Sequence, residues 1–179
     1  MLVAAWAGRA ENDGYNALVL DAGLTFREAA LVRALGRYLR QAGIPFSQDY
    51  IWQTMTAHGG LAAQVVALFH ARFDPALDTA PAAREAREAP VRTAIAEGLA
   101  AVSSLDEDRI LRRFVNLVDA ALRTTYYQRD AHERLKDAIA IKFESAKVEG
   151  LPLPRPLFEV FVYAPRVEGV HLRFGKVAR

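Results

Sequence analysis

LPLPRPLFEVFVYAPRVEGVHLRFGKVAR, residues 151–179, decides how this chain is read. Phe158, Val160 and Val162 recur at every second position, and Val170, Leu172 and Phe174 do the same further on. A period of two sets alternate side chains on one face of an extended segment, so both runs are predicted as half-buried strands joined by a turn over 164–169. Two strands alone do not make a stable sheet. No turn, cap or polar tail follows the second run before Arg179. The expectation is that the other strands lie in sequence beyond this chain, which would then be a piece of a larger protein, and that Met1 is an internal start. Working backwards, 151–156 carries three prolines and serves as a connector. Ile139, Ile141 and Phe143 alternate with Ala140, Lys142 and Glu144 and predict one more strand.

The rest is helical in pattern from Asp13 to about Arg129. Asn12 and Asp13 can cap a short helix through Val19, with Gly23 closing it. Thr25 and Glu28 form a capping box for a helix to Gln41, with Val32, Leu35 and Leu39 on its core stripe and Arg33, Arg37 and Arg40 on another face. Ser47 starts the next helix, which His58, Gly59 and Gly60 interrupt before a third reaches Phe73. Residues 74–81 form a linker, and the helical segment after it is expected to break at Pro90. Ser104 and Glu107 make a second capping box, opening a helix whose buried face is Ile110, Phe114, Leu117, Val118 and Ala121. The predicted class is α+β: a mostly α-helical region (1–130), a strand and Pro-rich connector (131–157), then the first strands of a larger antiparallel sheet (158–179).

Composition narrows the function. Apolar residues make up 52%, which excludes disorder, and 23 basic against 21 acidic residues leave a formal charge of +2. Such a balance gives no strong pull on nucleic acid. There is no cysteine, hence no disulfide framework or thiolate chemistry, and a reducing cytoplasmic setting fits. The apolar run 2–7 is far short of the roughly 20 residues that span a bilayer and reads as the end of an interior helix.

No self-contained active site emerges. Gly175-Lys176 lacks the upstream glycine and following hydroxyl of a phosphate loop, since Val170 and Val177 stand there. Gly59 and Gly60 are not part of a dinucleotide fingerprint. His58, His70, His132 and His171 have no partner at metal-ligand spacing and read as surface or hydrogen-bonded residues. Ser47 and Ser104 are explained as caps, and the carboxylates of 106–108 by the dipole of a first helical turn. Arginine supplies 19 of the 23 basic residues; Arg109, Arg112 and Arg113 could grip an anion or a neighbouring domain, but a charged stripe opposite an apolar one is usually a solvated face. Tyr126 and Tyr127 could stack on bases and are better explained as packing residues closing a helix.

Three segments, AENDGYNALVLDAGLTFREAALVRALGRYLRQAGIPFSQDYI (10–51), SLDEDRILRRFVNLVDAALRTTYYQ (104–128) and 151–179, closely resemble consecutive parts of the large bacterial NAD-specific glutamate dehydrogenases. The resemblance runs from about Trp6 to Arg179 and is thinnest over 74–103. It implies a very large subunit that oxidatively deaminates L-glutamate to 2-oxoglutarate and ammonium with NAD and works as a cytoplasmic homo-oligomer; the residue patterns above add the expectation of no metal, no membrane and no nucleic acid as partner. In that family the segment resembling GKVAR runs into a Gly-Gly and the catalytic and nucleotide-binding domains. The implied catalytic lysine and aspartate and the NAD-binding loop would follow Arg179, so the chain by itself would be inactive and its main partner would be the remainder of its own subunit. In smaller glutamate dehydrogenases, resembled more distantly, a lysine just before the Gly-Gly pairs with a substrate carboxylate. Arg179 falls on that position and is the one implied substrate-binding residue. The rival reading is an independent helical regulatory or interaction module.

Overall fold

The computed structural model describes residues 6–8 and 11–175. The reading of 2–7 therefore falls mostly outside the described residues, although Trp6 is inside and exposed. Asp13 accepts a hydrogen bond from the Tyr15 amide at 3.1 Å and opens a 3-10 turn, Gly14–Ala17, that runs into helix α1, Leu18–Asp21. Five longer helices follow: α2 (Phe26–Gln41), α3 (Gln48–Ala57), α4 (Gly59–Phe73), α5 (Pro81–Ala100) and α6 (Leu105–Ala120).

The predicted box at the start of α2 is complete: the Glu28 amide donates to Thr25 Oγ1 at 3.2 Å, and the Thr25 amide donates to Glu28 Oε2 at 2.7 Å. This satisfies two amides that the first turn would otherwise leave unpaired. The second box is only half made. The Glu107 amide reaches Ser104 Oγ at 3.4 Å, but the Glu107 carboxylate turns to His58 Nε2, 3.0 Å away.

Helix α5 passes through Pro90 without a break, which corrects the expected interruption. The local penalty of a proline is outweighed by ties on both sides of it. Glu88 is buried and meets Arg92 at 2.8 Å and Arg72 at 3.1 Å, and Arg92 also meets Asp119 at 2.5 Å on α6. Further along, Gly98 lets α5 close on α4, because a Cβ there would stand 2.6 Å from Leu61 Cδ2.

The sheet is an antiparallel meander in chain order: β1 (Ala121–Thr124), β2 (Ile139–Glu144), β3 (Phe158–Ala164) and β4 (Val167–Arg173). Strand β1 corrects the reading of a helix to about residue 129. The helix stops at Ala120, and the β-branched Thr124 and Thr125 then serve strand pairing: the Thr125 amide donates to the Ala140 carbonyl at 2.9 Å and the Ala140 amide to Thr125 Oγ1 at 2.8 Å. The turn between β3 and β4 is shorter than the expected 164–169, since Ala164 already pairs with Val167 and Gly169 with Val162.

On β2 the buried face is Ile139, Ile141 and Phe143, as alternation predicts. On β3 it is Glu159, Phe161 and Tyr163, leaving Phe158, Val160 and Val162 on the outer face. Helix α2 decides this. Its Tyr38 stacks on Phe143 with centroids 4.4 Å apart, lies 5.5 Å from Phe161, and donates from its hydroxyl to Glu159 Oε2 at 2.7 Å. One continuous core joins α2, α4 and α6 to the inner face of the sheet, with Leu35, Phe69, Phe114, Phe143 and Phe161 all fully buried.

Candidate functional site

Arg179 lies outside the described residues. The arginine candidates of α6 are placed, and each has a partner. Arg109 pairs with Asp106 at 3.3 Å, Arg112 with Asp108 at 2.8 Å and Arg113 with Glu149 at 2.9 Å, beside a shallow cleft floored by Ile44, Pro45 and Phe46. A guanidinium already matched by a carboxylate offers little to a second anion. Tyr126 and Tyr127 pack with Phe69 and His70, and the Arg27 guanidinium covers the Tyr126 ring at 4.6 Å while donating to the carbonyls of Tyr126 and Lys136. No group of three or more potential metal ligands occurs among the described residues.

Sequence reasoning missed two constellations because they join distant segments. In the first, the arginine face of α2 forms a seam against the N-terminal loop and the sheet. Arg33, wholly buried, donates to both carboxylate oxygens of Asp13 at 2.8 Å and to Asn16 Oδ1 at 2.7 Å. Arg37 meets Glu11 at 2.5 Å, Tyr163 donates to the other Glu11 oxygen at 3.0 Å, and Arg40 meets Glu168 of β4 at 2.9 Å. Burial above all, with the nearby Glu159 carboxylate, pushes the Tyr38 hydroxyl well above its ordinary range, so it is a donor and not a base. The legible signal was the arginine spacing; its partners are set by the fold.

In the second constellation Glu28 Oε1 faces His70 Nε2 at 3.1 Å, and His70 Nδ1 faces the Tyr127 hydroxyl at 2.6 Å. Burial raises the Tyr127 pKa and opposes ionisation of Glu28, but bonds from Thr25 and His70 prevail and hold Glu28 below the usual carboxylate range. A carboxylate–imidazole–phenol chain can pass a proton. Here its ends tie the start of α2 and the end of α4 to the segment after β1. An adjoining cleft of about 690 Å³ is lined by Arg27, Asp74, Tyr127, Arg129, Arg134 and Asp137. Arg134 is held by Asp130 at 2.9 Å, and Arg129 donates to the Glu133 carbonyl at 2.6 Å, so the cleft's cations stabilise their own loop.

The sheet and the helix before it coincide with a known sequence unit. The family model described as bacterial NAD-glutamate dehydrogenase, catalytic domain, matches residues 94–179, and that of glutamate dehydrogenase, helical motif 3, matches residues 10–75. The chain is 48% identical over 179 residues to the NAD-specific glutamate dehydrogenase of Mycobacterium tuberculosis, 47% over 174 to that of Halomonas elongata and 45% over 173 to that of Pseudomonas aeruginosa. These alignments take in 99%, 97% and 97% of this chain. The chain belongs to the bacterial NAD-glutamate dehydrogenase family. It spans about a tenth of the length of these curated relatives, 11%, 10% and 11% respectively.

Within this glutamate dehydrogenase segment the described residues do not form the glycine-rich strand–turn–helix unit of a dinucleotide site. A dinucleotide site uses a parallel strand, a glycine-rich turn and a helix N-terminus in succession. All four strands here are antiparallel, and Gly59-Gly60 opens α4 after another helix, not after a strand. No described helix is long and apolar enough to cross a membrane.

Proposed function

We propose that this chain is the part of an NAD-dependent glutamate dehydrogenase in which a helical layer carries the opening strands of the catalytic sheet. The full-length enzyme would convert L-glutamate, NAD⁺ and water to 2-oxoglutarate, ammonium, NADH and a proton. The observation that carries this reading is the catalytic-domain match over 94–179, the stretch that builds α6 and all four strands. The proposed organisation is a helical region (1–130), a connector (131–157) and the first catalytic strands (158–179), amended by β1, which joins the sheet from within the helical part.

The catalytic and NAD-binding groups are assigned to sequence outside this chain, and the subunit is taken to be cytoplasmic and homo-oligomeric. The matched arginines of α6 support a function without nucleic acid. NADH absorbance tests the assignment: the longer polypeptide should reduce NAD with glutamate and the 179-residue chain should not. A glutamate-dependent rate from this chain above a denatured control would overturn it.

Arg179 is proposed to meet a substrate carboxylate through two parallel hydrogen bonds, the geometry a guanidinium favours. In the full-length enzyme Arg179→Ala should raise the glutamate KM about tenfold or more, the loss of one charge-assisted contact of roughly 1.5–3 kcal/mol. Unchanged kinetics would leave Arg179 without a part in substrate binding.

A further inference from the structure

Strand β3 is apolar on both faces except for Glu159, whose inward carboxylate accepts from the Tyr38 hydroxyl. FEVFVYA buries Phe161 and Tyr163 under α2 and turns Phe158, Val160 and Val162 outward, where Val162 is 39% exposed and Val167, beside it on β4, 66%. A sheet with one solvated face alternates apolar and polar residues, whereas strands covered on both faces read as continuous apolar runs. By that rule β3 is an interior strand of which one cover is missing.

The outer face has a definite shape. Gly169 stands opposite Val162, and nothing lies within 4 Å of where its Cβ would be, so a trough of about 310 Å³ runs between Val160, Val162, Val167 and His171. At the other end the Lys142 ammonium sits 3.8 Å from the Phe158 ring centroid, Arg173 is in register with Phe158, and Glu144, in register with Phe158 on the β2 side, is neutralised by Lys147 at 2.7 Å. The patch is therefore an apolar strip with a basic end.

Its size selects the occupant. Seven residues of strand at about 3.3 Å each, across three strands about 4.8 Å apart, give a patch roughly 23 Å long and on the order of 300 Å². A stable dimer buries about 800 Å² on each partner, far more than this strip offers. One α-helix, about 10 Å wide and roughly 15 residues for that length, matches it. The relatives, of which this chain spans 10–11%, have ample further chain to supply one, and a tethered element binds at a high effective concentration.

We infer that the outer face of β2–β4 is covered by an amphipathic helix from the remaining length of the same polypeptide, with its apolar stripe in the Val162–Gly169 trough and acidic side chains toward Lys142 and Arg173. This rests on the reading of the chain as part of a longer glutamate dehydrogenase.

The test uses the full-length enzyme with Val162 replaced by photoreactive benzoylphenylalanine. The expected product is a cross-link within one subunit, to a helical peptide outside these 179 residues. A product of twice the subunit mass would put a second copy on the face, and no protein cross-link at all would leave it in solvent; either overturns the inference. A second measurement guards against misfolding: Val162→Lys should leave the Tm of the 179-residue chain unchanged while lowering that of the full-length enzyme, and equal effects in both would count against a helical cover. Glutamate-dependent NADH formation is read separately. An enzyme that oxidises glutamate but shows no such cross-link defeats the helix alone, and one that cross-links but is inactive defeats only the functional assignment.

Discussion

Arg33 is wholly buried, yet its charge is matched by both oxygens of Asp13 and by Asn16. Removing one member of such a pair strands the other without water or counter-charge. Asp13→Ala should therefore cost toward the lower end of about 3–5 kcal/mol in urea unfolding, because Asn16 still accepts from Arg33. A loss below about 0.5 kcal/mol would place the pair among surface contacts. The tyrosines make a residue-scale prediction about pH. Burial raises the folded-state pKa of Tyr15, Tyr38, Tyr126, Tyr127 and Tyr163 above the ordinary 10.0. A raised folded pKa gives stability that is fully present below the unfolded value and lost as pH rises through the folded one. Phenolate absorbance at 295 nm should thus appear for these five together with loss of ellipticity above pH 10; independent titration near 10.0 with the helices intact would contradict their burial.

At the scale of elements, α5 and β3 show local rules overridden. A proline in a helix interior costs about 3 kcal/mol, while its restricted unfolded chain returns about 0.4–1 kcal/mol. Pro90→Ala should then stabilise the protein by about 2 kcal/mol in thermal or urea unfolding, since α5 already runs unbroken from Pro81 to Ala100. A destabilised variant would mean that the ring's own packing holds the helix. Alternation made Phe158, Val160 and Val162 conspicuous because Glu159 interrupts the competing set. A buried carboxylate is tolerated there only because the Tyr38 hydroxyl satisfies it at 2.7 Å, and that partner comes from 121 residues away.

For the whole molecule, the shared core makes helices and sheet one packing unit. Phe114 on α6 is fully buried in it. Phe114→Ala should cost about 3–5 kcal/mol and shift the far-ultraviolet and tyrosine signals by the same denaturant increment, as one cooperative transition requires. Separate transitions for the two signals would show that the layers fold independently.

What the sequence determined by itself is what neighbouring residues can settle: the capping box of Thr25 and Glu28, the Ser47 cap, the core stripe of Val32, Leu35 and Leu39, and the alternation of β2. Each depends on hydrogen bonds or periodicity within a few residues. Tertiary structure alone decided that α6 gives way to β1 at Ala121, that α5 continues through Pro90, that β3 turns Glu159 inward, and that Arg33 is buried against Asp13. In every one of these cases the deciding partner is far along the chain or on another element, and its hydrogen bond or packing outweighs a local preference worth only a few kcal/mol.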